Sequence, residues 1–227
     1  MDRLIIPLLV FTFFLSITLV SCVDSNKDQD LEKSPEDPGK NTLTIPKDEN
    51  KDRALWQKPE IVVSKMGDLS DRTVADIGAG TGYFTFRMAL QAQKVIAIDI
   101  MPSYLEILDN LKEKLPFEIK SRIETRLAKE NDPLLKPGEV DLVVIINTFS
   151  VIDRKIDYLK TVKKGLKSKG KVFIVDFKIK NIPIDAPPVN DRLPINELED
   201  QLVKAGFRNI ITDDTTLDFQ YIVTAEK

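Results

Sequence analysis

Histidine is missing from all 227 residues of this chain, which removes the imidazole general base and the commonest metal ligand from any chemistry it performs. Cysteine is nearly missing too. Cys22 alone excludes an intramolecular disulfide and a thiolate-built zinc site, so no metal is expected. Charge of one sign is also lacking, since 33 Lys and Arg stand against 36 Asp and Glu for a net of −3. The two signs are interspersed, no basic stripe marks a nucleic-acid surface, and nucleic acid is set aside as a partner. What remains is an ordinary globular composition, 42% hydrophobic and 30% charged, with a length that fits one domain plus extra segments.

The first extra segment is an address. Leu4 to Val20 is an almost unbroken apolar run behind Met1, Asp2 and Arg3, the form of a signal-peptide core. It closes on Leu19-Val20-Ser21-Cys22, which resembles the lipobox of bacterial lipoproteins. The resemblance implies cleavage after residue 21 and lipidation of Cys22, giving membrane attachment through a lipid anchor. An uncleaved transmembrane anchor is the alternative, the run being near the short end of the roughly 17 to 25 residues that span a bilayer. Both readings put the following domain in the bacterial cell envelope on the non-cytoplasmic side. Residues 22–51 are polar and charged, with Pro35 and Pro38 among them. Such a stretch buries too little apolar surface to offset its ordering entropy and reads as a flexible tether.

From residue 52 to 227 the chain alternates β-branched runs with amphipathic segments, the pattern of a doubly wound α/β domain with a mostly parallel sheet. Strands are expected at Thr73–Ile77, Lys94–Asp99, Arg122–Leu127, Asp141–Asn147 and Lys171–Phe177. A helix from Tyr83 to about Gln91 follows the first strand. Another begins near Asp153 as N-cap, buries Ile156, Leu159, Val162 and Leu166, and stops at Gly170. A last helix around Leu198 and Leu202 ends at Gly206, and Phe207–Ile211 with Leu217–Thr224 form an antiparallel closing hairpin. That makes seven strands in all. No internal repeat is present.

The chemistry concentrates after the first strand, in Asp76-Ile77-Gly78-Ala79-Gly80-Thr81-Gly82. A strand running through a glycine turn into a helix is expected to aim backbone N–H groups and a positive dipole end at a ligand. Gly78, Gly80 and Gly82 allow close approach, while Asp76 just before the turn suits an ammonium better than a phosphate. Asp99, at the tip of the second strand, offers two acceptor oxygens to a ribose diol. A dinucleotide site uses similar parts, but its glycine spacing calls for Gly or Ala at position 83, where Tyr83 stands. The acid–glycine combination resembles the adenosylmethionine site of class I S-adenosylmethionine-dependent methyltransferases, whose Rossmann-like seven-stranded sheet also ends in an antiparallel hairpin.

The segments Arg53-Ala54-Leu55-Trp56-Gln57-Lys58-Pro59, Val74 to Thr85, and Val175-Asp176-Phe177-Lys178 look like a bacterial branch of small-molecule methyltransferases related to quinone- and arsenite-methylating enzymes. The resemblance implies S-adenosyl-L-methionine as cofactor and a small-molecule methyl acceptor. The cofactor residues it implies are Asp76, Gly78, Gly80, Gly82, Tyr83, Asp99, Ile100, Glu130, Asn131 and Asn147. Glu130 or Asn131 would lie near the adenine and Asn147 near the transferring methyl. Trp56 would either close the site or anchor the core. The chain departs from this branch after the fourth strand, where a Tyr-His-His-like stretch is replaced by Phe149-Ser150-Val151, so no catalytic residue is assigned. Methyl transfer is an in-line displacement that needs positioning and a soft or already deprotonated nucleophile, so a base is dispensable. Arsenite is rejected as acceptor because the cysteines its methylation is thought to use are absent. An exported, catalytically silent module binding a nucleoside-like ligand is the alternative to an active enzyme. Acceptor identity and oligomeric state have no readable code in the sequence.

Overall fold

The computed structural model describes residues 51–227. The expected signal segment and nearly all of the expected tether, Cys22 included, lie outside the described residues. Two short helices, α1 (Lys51–Gln57) and α2 (Pro59–Lys65), precede the first strand, β1 (Thr73–Ile77). There follow α3 (Thr85–Ala89), β2 (Lys94–Asp99), α4 (Pro102–Lys112), α5 (Phe117–Lys120), β3 (Ile123–Leu127) and β4 (Val140–Ile146). A 3₁₀ turn at Phe149–Val151 leads into α6 (Lys155–Gly165), β5 (Leu166–Phe177), α7 (Ile195–Lys204), β6 (Arg208–Asp213) and β7 (Gln220–Glu226).

The strands form one seven-stranded sheet in the order β3-β2-β1-β4-β5-β7-β6. β1 to β5 are parallel, and β7 runs antiparallel between β5 and β6. The expected fold class is thus the observed one. Alternation along each strand builds both faces. Ala75, Ile77, Ile96, Ile98, Val143, Ile145, Val172 and Ile174 pack with Leu159 and Val162 of α6 and Leu198 and Leu202 of α7. Val74, Val95, Ala97, Leu142, Val144, Phe173 and Val175 pack on the opposite side with Val62 and Val63 of α2, Phe86 and Met88 of α3, and Leu108 of α4. Residues of both sets are buried because parallel strands covered by crossover helices on both sides have no wet face.

Helix ends depart from the sequence expectation. Arg154 takes the left-handed conformation at φ 47°, so α6 starts at Lys155 with no side-chain cap, and Asp153 is not its N-cap. The same helix stops at Gly165 instead of Gly170, because Leu166 already pairs with Val140 as the first residue of β5. Gly165 lacks a side chain where one is not tolerated, since a Cβ there would lie 2.6 Å from that of Leu135. The helix expected from Tyr83 to about Gln91 shortens to five residues, with turns on both sides. Among the described residues, no helix is long and apolar enough to cross a membrane.

Candidate functional site

The strand order reverses between β1 and β4, the point in an open parallel sheet where the loops after the strands part and leave a crevice. A cavity of about 880 Å³ opens there, lined on one side by Ile77, Gly78 and Gly80 and on another by Asp99 and Ile100. Gly80 takes φ 54°, and a Cβ built on it meets nothing within 4 Å, so the loop leaves a hollow that any side chain would fill. Gly78, at φ 75°, is glycine for a different reason: its Cβ would fall 2.2 Å from Thr148 Oγ1.

The loop's amides do not behave as the sequence suggested. Gly78 and Ala79 N–H donate to Ile98 O, Gly82 N–H donates to Ala79 O, and Gly80 N–H donates to Asp99 Oδ2 at 2.8 Å. These groups are therefore not free donors for a ligand, and a helix as short as α3 adds little dipole at its start. The loop folds back over the tip of β2 to satisfy its own backbone. What it gains is a fixed Asp99, whose second oxygen accepts from Met101 N–H at 2.9 Å. Each carboxylate oxygen keeps a lone pair for a ligand. Asp99 is 8% exposed, so those lone pairs face the cavity and little else.

The far wall holds Glu130 and Asn131, presented by a two-residue turn that Lys129 and Asp132 close with paired backbone hydrogen bonds. Tyr104, Thr148, Val151, Asp153, Arg154 and Tyr158 also line it, and no periodicity or motif in the sequence pointed to them as a group. Asp176, 1% exposed, fastens part of that wall by accepting Ser150 N–H at 3.0 Å. Burial pushes its carboxyl above the usual range. Six of the ten expected cofactor residues thus meet at the cavity: Gly78, Gly80, Asp99, Ile100, Glu130 and Asn131.

Asp76, Gly82, Tyr83 and Asn147 do not line it. Asp76 lies beneath the loop at 3% exposure and accepts from Thr85 Oγ1 at 2.6 Å. Burial pushes its pKa up to about 6 against that hydrogen bond, with repulsion from Asp99 adding and Arg53 subtracting. Gly82, at φ 96°, makes room for Phe86, whose ring a Cβ would meet at 2.6 Å. Tyr83 is clasped between two guanidinium groups, Arg53 at 4.2 Å and Arg87 at 4.0 Å from the ring centroid. Its hydroxyl is buried without a partner among the described residues. Asn147 follows β4 at φ 58° and accepts hydrogen bonds from Gln57 and Gln220. Trp56 packs on Phe177 with ring centroids 5.8 Å apart. Gln57 and Gln220 escaped the sequence reading because an isolated glutamine carries no pattern. Their separations from Asn147, 90 and 73 residues, are bridged only by the fold. Among the described residues no cluster of His, Cys, Asp or Glu could hold a metal ion.

Comparison with known proteins agrees with this geometry. A family model described as a methyltransferase domain matches residues 68–220. The magnesium-protoporphyrin O-methyltransferase of Rhodobacter capsulatus is 33% identical over 81 residues, 36% of this chain and 34% of that enzyme. The demethylmenaquinone methyltransferase of Lactococcus lactis is 28% identical over 137 residues, 59% of this chain and 52% of that enzyme. The chain therefore spans about a third to a half of these relatives' lengths. In fold, it is similar to the crystal structure of a SAM-dependent methyltransferase from Aquifex aeolicus, with TM-score 0.70 and 23% identity over 81% of this chain and 94% of that one. The match over most of the folded region, on a sheet with this strand order and this crevice, means that the chain belongs to the methyltransferase-domain family.

Proposed function

We propose that the domain binds S-adenosyl-L-methionine in the cavity at the switch point and transfers its methyl group to a small-molecule acceptor. The observation that carries the reading is Asp99, held at the tip of β2 by Gly80 and Met101 N–H with a lone pair left on each oxygen. That is the arrangement a ribose diol requires. Gly80 leaves the hollow beside it, and Ile100 with the Glu130–Asn131 turn gives an apolar and polar wall for a purine. Asp76 lies beneath the loop and outside the cavity lining, and its buried carboxylate would be stabilised by a cationic group such as the cofactor's ammonium bound over the loop. Arg53 and Tyr83 stand on the same side. When bound, the cofactor supplies an electrophilic methyl on a sulfonium. The chain's own residues orient that group and exclude water, which suffices for an acceptor that arrives deprotonated.

Calorimetric titration of the full-length protein with adenosylmethionine and its demethylated product tests the reading. Binding of both, abolished in Asp99→Ala, is expected. No heat with either would remove the cofactor assignment, and binding without turnover across a broad acceptor set would favour a silent module.

The similarity to demethylmenaquinone methyltransferase supports the quinone-related branch. The apolar run ending in Cys22 supports a lipid-anchored protein of the bacterial envelope, with its domain on the non-cytoplasmic side. Labelled fatty acid should enter the wild-type chain and not Cys22→Ser; equal labelling of the two would remove the anchor.

A further inference from the structure

Beside the cavity, on the α1 side of the glycine loop, lies a hydrogen-bond chain with a direction. A guanidinium only donates, so Arg53 Nε–H, 2.6 Å from Gln57, fixes Oε1 of that side chain toward it. The Gln57 amide nitrogen must then face the other way, and it donates to Gln220 Oε1 at 2.7 Å and Asn147 Oδ1 at 3.2 Å. With its oxygen taken by Gln57, Gln220 donates through Nε2 to the same Asn147 Oδ1 at 2.5 Å. Gln57 and Gln220 are 0% exposed, so solvent cannot satisfy a reversed order. Asn147 is only half-buried. Its oxygen is saturated from within, and its Nδ2 donates to nothing among the described residues. The chain therefore ends just past β4 in a half-buried amide N–H donor with no partner among the described residues.

Charge points the same way. Arg53 has no carboxylate within ion-pair distance among the described residues. The one carboxylate that acts on it, Asp76, is taken by the cofactor's ammonium in the proposed complex. No imidazole exists in the chain to remove a proton from an acceptor.

We infer that this half of the site takes an oxyanion. The methyl acceptor is an ionised hydroxyl compound of phenol or enol type, held through Asn147 Nδ2, with Arg53 as the positioning residue that sets the amide direction. The assignment rests on the methyl-transfer reading for the reaction, whereas the oxyanion site itself does not. In the step implied, an oxygen lone pair forms the O–C bond while the S–C bond of the sulfonium breaks. The released pair stays on sulfur as a neutral thioether, and no proton moves. The hydrogen bond from Asn147 leaves other lone pairs on the oxygen for attack.

4-Nitrophenol, whose ionised form absorbs in the visible, tests the site on the full-length protein with and without S-adenosylhomocysteine. A donor site favours the phenolate, so the bound probe should ionise about tenfold more readily than the free one. Asn147→Asp, isosteric but no longer a donor, should abolish the shift. Gln57→Glu, which loses the donor to Gln220 and Asn147, should diminish it, and Arg53→Lys should retain more of it than Arg53→Met. Thermal melting of each variant separates misfolding from loss of the site, and Asn147→Gly, compatible with φ 58°, provides a second donor-free variant. The inference is overturned by a probe that does not bind, binds as the neutral phenol, ionises in both Asn147 variants as it does in the wild type, or is matched by 4-nitroaniline. Calorimetry with S-adenosylhomocysteine on the same samples reads the cofactor site separately. Loss of that heat with the phenolate shift intact would remove the methyl-transfer reading alone.

Discussion

The two sides of the crevice are built by different means. On the β2 side the working parts are backbone and one carboxylate, Gly78, Gly80 and Asp99, within 22 residues of chain. On the α1 side they are long polar side chains, Arg53 and Gln57 of α1, Asn147 just past β4 and Gln220 of β7, brought together from three separate parts of the chain. Locally encoded geometry survives changes elsewhere in the chain. The assembled side depends on α1 staying docked against β4 and β7, and its failures should therefore be failures of folding as much as of chemistry.

The sharpest way to break this contrast is Asp99→Ala. It removes two charge-assisted hydrogen bonds to a ribose, at about 1.5–3 kcal/mol each, so cofactor affinity should fall by about 100- to 10,000-fold in calorimetry. The amide chain on the other side should be untouched, and the 4-nitrophenol shift should persist.

Next in size is a pair within the loop itself. Gly78→Ala forces a side chain against Thr148 as well as an unfavourable φ, and should lower stability by about 3 kcal/mol in denaturant unfolding. Gly80→Ala meets open space, so its stability loss should be only about 1 kcal/mol, while cofactor affinity drops because the hollow is filled. Equal stability losses would show that Gly80 is glycine for the fold and not for a ligand.

Asp76 sharpens the comparison through pH. Its folded pKa of about 6 lies above the ordinary 3.8, so folding takes up a proton between those values. The contribution of Asp76 to stability should therefore be greatest below pH 4, fall as pH rises to about 6, and stay flat above, its whole change being about 3 kcal/mol, read as the difference between the wild type and a variant without the carboxyl. Asp76→Asn should flatten that slope in urea titrations across the range. A cationic group bound at Asp76 lowers its pKa, so cofactor binding at pH 6 should release a fraction of a proton, readable from calorimetry in two buffers.

The smallest effect belongs to the assembled side. Gln220→Ala removes one of two acceptors from Gln57 Nε2 and one of two donors from Asn147 Oδ1 and should cost about 1–3 kcal/mol of stability. Cofactor affinity should change less than threefold, because the side-chain hydrogen bonds of Gln220 go to Gln57 and Asn147, neither of which lines the cavity. A large loss of cofactor binding instead would join the two sides into one unit.

Much of the fold was legible because its signals are local. Thr73–Ile77 and Lys94–Asp99 coincide with β1 and β2, since β-branched runs buried on both faces have one outcome in a parallel sheet. Helix ends were less legible. Asp153 has the chemistry of a cap, but the left-handed turn at Arg154 places it on the cavity wall instead. Gly170 has the look of a helix stop, but pairing of Leu166 with Val140 ended the helix earlier.

By itself the sequence determined the sheet, the glycine loop and the carboxylate that faces it, because strand periodicity, turn chemistry and a fixed interval between Asp76 and Asp99 act over short stretches of chain. Tertiary structure alone decided that the amides of Gly78, Ala79, Gly80 and Gly82 serve the fold and not a ligand, that Asp76 is buried enough to resist ionisation, and that Gln57, Asn147 and Gln220 share one hydrogen-bond chain. These are properties of burial and of contacts across 73 to 163 residues, and no local pattern carries them.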